Sequence, residues 1–214
     1  MNVSLRGLTA AIATSALAAT AAIGAAPAQA ADHSADRAKA TSLAQVLAAD
    51  GHRFDKKWGD FDILDAAVMA VLKEKPKSAV GVLAKPRTKL TAFLPTDKAF
   101  RQLATTLTGT RPASERATFN ALATAAGIDV IETVLLYHVV PGKTLGSAKV
   151  AKADGVKLKT AQGGTVTVEV SKKKISLVDA DPDLRDPRVI ATDINKGNPQ
   201  IAHAIDRVLL PINL

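Results

Sequence analysis

Residues 135–143 read Leu-Leu-Tyr-His-Val-Val-Pro-Gly-Lys, and they set the hardest condition on any fold this chain can adopt. The only tyrosine of the sequence stands beside a histidine, inside an apolar run that closes on a Pro-Gly turn. Tyr137 and His138 read either as an exposed recognition pair or as a buried structural pair. The apolar flanks favour burial, where both side chains are costly unless hydrogen-bond partners meet them. Two distant stretches have the composition to supply those partners: residues 90–100 (LTAFLPTDKAF) and 201–211 (IAHAIDRVLLP). The fold must therefore join three segments spread over more than half of the chain.

The N-terminus limits where such a fold forms. Residues 1–30 carry Arg6 as their one charged side chain, then an Ala-rich apolar stretch, then Ala28-Gln29-Ala30. That small-x-small ending is the pattern of a secretory signal peptide, so cleavage after Ala30 is expected. The expected product is secreted and soluble, with a flexible leader over 31–40 and no transmembrane segment after cleavage. There is no cysteine. Disulfides, a cysteine nucleophile, thiolate metal sites and a lipid-bearing N-terminal cysteine are thereby excluded. Stability must come from an apolar core, and the remaining length suits a single domain over 41–214. The formal net charge of +8 gives a general attraction to polyanions. Export argues against a specific nucleic-acid target, and an aromatic content of 3% argues against stacking platforms for sugars or bases.

Hydrophobic spacing divides the chain into helical and extended parts. Thr41 or Ser42 can cap a short helix stopped at Gly51. Asp62 is the expected N-cap of a helix that buries Ile63, Leu64, Ala67, Val68, Val71 and Leu72 and ends at Pro76. Residues 90–94 read as a strand entering Pro95-Thr96-Asp97, where the Thr96 side chain is expected to cap a helix through Phe100 and Leu103. Ser114 opens another helix, ended by Gly127, and Asp129 with Glu132 forms a capping-box variant ahead of Tyr137. After Pro141 the period becomes two. Val166, Val168 and Val170 alternate with Thr165, Thr167 and Glu169, and a basic turn leads to Ile175 and Leu177. Residues 189–194 and 201–210 add two strands. Helices early and strands late make an α+β fold rather than alternating βαβ units.

Several constellations could carry chemistry. His138, His203 and Asp206 suggest a metal cluster or a base and its orienting acid, but positions 203 and 206 of a strand face opposite ways. Gly146-Ser147-Ala148 lacks the nucleophile elbow of a serine hydrolase. Asp179, Asp181, Asp183 and Asp186 have metal-like spacing, yet Leu184 and Ile190 stand where a calcium loop needs glycine and a carboxylate. Pro182 and Pro187 suit a solvated loop. No catalytic set, cofactor motif or metal centre is assigned. The competing reading is a secreted metal-binding or hydrolytic protein using His138, His203 and residues 179–186. A small-ligand carrier is a third. Lys157, Lys159, Lys172, Lys173 and Lys174, with Lys149 and Lys152, make the second half basic. They read either as a solvated hairpin that blocks edge pairing or as a contact for anionic polymers. Phe54, Trp58 and Phe61 are expected to pack onto the domain.

The three segments together resemble the fasciclin-domain family, an extracellular adhesion and matrix module of bacteria, plants and animals. The first motif is the strand, Pro95-Thr96-Asp97 and a helix reaching Ala99-Phe100; the second is Tyr137-His138 with Pro141-Gly142. The third ends in His203-x-Ile205-Asp206-x-Val208-Leu209-x-Pro211. Residues 105–127 look like a helical insertion, and Gly197-Asn198-Pro199-Gln200 replaces the family's usual Asn-Gly. The chain looks like a secreted bacterial single-domain member. The resemblance implies a β-sandwich or wedge of about seven strands with several helices packed at one side. It also implies adhesion or matrix association without catalysis or cofactors. The implied partner is a cell-surface or matrix component: a polysaccharide, a wall polymer or a protein. Structural roles follow for Thr96, Asp97, Tyr137, His138, Pro141, Gly142, His203 and Asp206. Thr96 and Asp97 are expected to cap their helix, and Tyr137 and His138 to tie that region to the last strand, near Thr96, Asp97 or His203. The oligomeric state does not follow.

Overall fold

The apolar run 90–95 becomes the buried middle of the fold in a computed structural model that describes residues 40–212. The expected signal peptide and the leader up to residue 39 lie outside the described residues. Strand β1 (Leu90–Pro95) is buried at every position, which requires cover on both faces. It pairs antiparallel with β2 (Val139–Pro141) and parallel with β7 (Gln200–Ile205), with Ala92 opposite Ala202 and Phe93 opposite His203. Strand β6 (Val189–Ile194) completes the order β2-β1-β7-β6. Its pairing with β7 shifts register twice, and Asp193 in this stretch takes a φ of 63°. The second sheet is antiparallel, with order β3 (Lys157–Lys159), β4 (Thr165–Ser171), β5 (Lys174–Val178).

Period-two alternation splits the core. Leu90, Ala92 and Leu94 join a helix-side cluster with Ile63, Val68, Val71 and Leu135. Phe93 faces the other way, into a cluster with Tyr137, Val166, Val168, Leu177 and Leu209. The first sheet is thus packed between helices and the second sheet. Among the described residues, seven strands in two sheets with helices to one side make the expected α+β sandwich.

Among the described residues the α-helices are α1 (Leu43–Leu47), α2 (Asp62–Glu74), α3 (Asp97–Thr108), α4 (Glu115–Tyr137) and the short α5 (Ser147–Val150). Ser42 caps α1 in a full capping box with Gln45. Phe61, not Asp62, stands at the N-cap of α2 and offers no side-chain cap. The two expected helices on either side of Gly127 are the arms of α4, broken where Gly127 takes φ 72° and ψ 168°. Glu132 closes no capping box: its oxygens accept from Lys75 Nζ (2.6 Å) and Ser78 Oγ (2.5 Å), tying α4 to the end of α2. By length and composition alone α4 could cross a membrane, a span the sequence reading passed over. It packs against α2 and α3, with Phe119, Leu122 and Leu135 on the helix-side cluster. The last strand ends at Ile205 rather than 210; Val208, Leu209 and Leu210 are buried without pairing in a sheet.

Candidate functional site

Tyr137 ends α4 and His138 follows as its C-cap. Tyr137 is 1% and His138 3% exposed, so the pair is internal. The Tyr137 hydroxyl donates to Thr165 O at 2.8 Å, reaching the first residue of β4. Burial first, then the charge of Asp179, pushes the phenol up to about 12. His138 Nδ1 lies 2.7 Å from Val134 O, and Nε2 accepts from Leu209 N at 2.9 Å. A carbonyl on one nitrogen and an N–H on the other fix the neutral Nδ1–H tautomer. Burial pushes its pKa down to about 4. His138 thus meets the expected 201–211 segment, through Leu209 rather than near His203. The Tyr137 partner, Thr165, lies outside both expected stretches, and neither side chain bonds Thr96 or Asp97. Tyr137 instead ties the helical layer to the second sheet, and His138 holds the C-terminal segment. The Tyr137 ring leaves little room: a Cβ on Gly164 would come within 3.1 Å of it.

The other motif residues have separate tasks. Thr96 is the N-cap of α3, but its side chain makes no cap hydrogen bond. Only its carbonyl serves, accepting from Ala99 N (2.8 Å) and Phe100 N (3.2 Å). Asp97 does not cap its own helix either. Its carboxylate crosses to α2 and accepts from Asp62 N (3.2 Å) and Ile63 N (2.9 Å). His203 is fully buried, with Nε2 2.8 Å from Leu145 O, and burial lowers its pKa. Asp206, just past β7, accepts from Arg185 Nη2 and from Arg188 N, each at 2.7 Å. Pro141 ends β2, and Gly142, at φ 77°, turns the chain while donating to Lys89 O at 2.8 Å. His138, His203 and Asp206 thus bind different backbone groups and share no site.

The 179–186 loop is less solvated than its prolines suggest. Asp181 is 3% exposed, and its Oδ1 accepts from Asp183 N (2.9 Å) and Leu184 N (3.0 Å). Asp179 accepts from Asp181 N (3.0 Å) and Leu210 N (2.8 Å). These carboxylates shape the loop through backbone amides, as Asx turns do. Burial raises Asp179 to about 6.

The lysines have a clearer geometry. Lys157 pairs with Thr167, Lys159 with Thr165, and Lys174 with Ser171, so these three side chains share the outer face of the second sheet. Lys172 and Lys173 form the two-residue turn between β4 and β5, both with positive φ (47° and 65°). All five are exposed, and none is held in an ion pair among the described residues. They form a stripe along β4 of about 20 Å rather than one spot, given a strand rise of about 3.3 Å per residue. Lys157 also borders an open polar depression with Gln162, Gly163 and Thr167.

Two features escaped the sequence reading. An open apolar cleft lies among α2, α3 and α4, lined by Phe100, Leu103, Phe119, Leu122, Val134 and Leu210. Beside the N-terminus of α2, the carboxylates of Asp55, Asp60, Asp62 and Glu115 converge, with Asp97 behind them. Burial first, then neighbouring carboxylates, pushes Glu115 up to about 7 and Asp97 up to about 8. No local motif announces this group, since its members come from a loop and the starts of two helices. Trp58, in the same loop, lies under the Arg101 guanidinium at 3.9 Å, and Phe54 packs 6.0 Å from Phe119, as expected for inward-packed aromatics.

Compared with models of known families, residues 66–211 match the Fasciclin domain. No curated protein matches the chain. Among solved structures, one match is the FAS1 domain pair of the insect cell adhesion molecule fasciclin I, at 16% identity and a TM-score of 0.49. That alignment covers 71% of this chain and 48% of the insect chain, about half of its length.

Proposed function

This chain belongs to the fasciclin domain family, and from that premise we propose that it is a secreted, non-enzymatic module that attaches to a cell-surface or matrix component. Residues 41–214 act as one domain, freed from a signal peptide cut after Ala30. The contact is the outer face of the second sheet, and its partner is an anionic polymer: a wall polymer or an acidic polysaccharide. One observation carries this choice. Lys157, Lys159, Lys172, Lys173 and Lys174 stand exposed and outside any ion pair along that sheet, so their charge is free for a partner. The Tyr137-His138 pair serves instead as a strut, its polar atoms spent on backbone groups.

Co-sedimentation of the mature protein with cell-surface material from its producer, across a salt series, tests the reading. Exposed charges are screened over about 8 Å at physiological ionic strength, so binding through the lysines falls steeply as salt rises. Binding that ignores salt would move the contact to the apolar cleft. Absence of binding at any salt would contradict attachment itself.

A further inference from the structure

We propose that Asp55, Asp60, Asp62 and Glu115 form a binding site for a hard divalent cation, of which calcium fits best. The four carboxylates arrive from different parts of the chain. Asp55 and Asp60 lie in the loop before α2, Asp62 is the first residue of α2, and Glu115 is the first of α4. One oxygen from each lies within 4.8 Å of the others. Calcium binds oxygens at about 2.4 Å, so ligands on opposite sides of one ion stand about 4.8 Å apart. The spacing is that of a single coordination sphere.

A second observation points the same way. Glu115 is fully buried, and its Oε1 has no hydrogen-bond partner; Asp60 Oδ1 is likewise enclosed and without one. A buried carboxylate oxygen left unmatched is costly, and natural proteins rarely keep one. Helix starts do favour acids, and this accounts for Asp62 and Asp97 near the amides of α2. It does not account for the orphaned oxygens. The Asp55 N–H is shared between Glu115 Oε2 (2.5 Å) and Asp62 Oδ2 (3.2 Å). Lys57 reaches Asp55 at 2.9 Å, but its side chain is 78% exposed and pairs from the solvent side. A cation bound among these carboxylates would relieve the cost of leaving such oxygens unmatched.

The donor set selects the ion. All four ligands are carboxylates, which suit calcium or magnesium and not the softer metals that favour imidazole or thiolate. His52, nearby in sequence, is engaged with Asp65 at 2.5 Å. A partly exposed cage built from a loop suits the adaptable sphere of calcium better than the rigid octahedron of magnesium. Millimolar affinities are typical of extracellular calcium modules, so a dissociation constant of about 10⁻⁴–10⁻³ M is expected.

Calorimetric titration of the mature protein with calcium chloride, with thermal melts alongside, decides the matter. The proposal expects one ion per chain and a melting point raised by about 3–6 °C at about 10 mM calcium. Asp60→Asn and Glu115→Gln should each weaken binding at least tenfold (about 1.4 kcal/mol), while Asp183→Asn in the other acidic loop leaves it unchanged. If Glu115→Gln folds poorly, Asp60→Asn at a half-exposed loop position still gives the answer. No heat and no shift at about 10 mM would overturn the site, as would wild-type affinity in Asp60→Asn or equal loss in Asp183→Asn.

Discussion

Protonating His138 would put a second N–H against the N–H of Leu209, and this makes one imidazole a pH-sensitive joint. Its folded pKa is about 4, below the unfolded value of about 6.5. As pH falls through 6.5 the unfolded chain takes up the proton first, so stability is lost between about 6.5 and 4. The full loss from this group is on the order of 3 kcal/mol. At pH 7, His138→Ala orphans the Leu209 N–H and should lower stability by ~1–3 kcal/mol. Chemical denaturation at several pH values should show that gap narrowing from pH 7 towards pH 4. A gap that stays constant would contradict the buried neutral imidazole. For Tyr137→Phe, which keeps the ring but loses the bond to Thr165 O, a fall of about 1 kcal/mol in the same measurement is expected. What the sequence revealed here was burial and the need for partners, because both follow from flanking apolar residues. It pointed to the 201–211 segment that supplies Leu209, but not to Thr165, which depends on how the second sheet meets the helix end.

At the scale of elements, two junctions combine strain and service. The β4–β5 turn places Lys172 and Lys173 in the left-handed region, where glycine and asparagine are at ease and lysine is not. Replacing them with Asn-Gly should raise the thermal midpoint through a gain of about 1 kcal/mol, while weakening attachment to an anionic polymer. Lower stability in that variant would mean that the lysines contribute to the turn itself. Asp97 illustrates a cap lent by one helix to another. Asp97→Ala frees two amides of α2 and should cost about 1–2 kcal/mol, with faster amide exchange at Asp62 and Ile63 than in α3. Alternation made the β4–β5 hairpin readable, and the continuous apolar run made β1 readable, because each is a local pattern. Helix ends were harder. Thr96 has the right chemistry for a cap, yet the neighbouring carboxylate was drawn to a helix start some thirty-five positions earlier.

At the scale of the whole molecule, two groupings of like charge stand out beside the local ion pairs. A chain of net charge +8 gathers a lysine stripe on the outer sheet and a carboxylate cluster at the start of α2. Neither grouping is contiguous in sequence: the stripe draws its lysines from two strands and a turn, and the cluster uses a loop and two helices. The layered fold was legible because three motifs fall in order along the chain. The parallel pairing of β1 with β7 and the carboxylate cluster were not, since no local periodicity encodes contacts between distant segments. The central claim is that attachment runs through the lysine face while the Tyr137-His138 strut only supports it. The most direct measurement is the affinity for an acidic polysaccharide such as polygalacturonate at low salt, with Lys157, Lys159 and Lys174 all changed to Gln. The account predicts at least a tenfold loss of affinity with an unchanged melting point. Affinity equal to the unaltered protein, with the melt also unchanged, would contradict it.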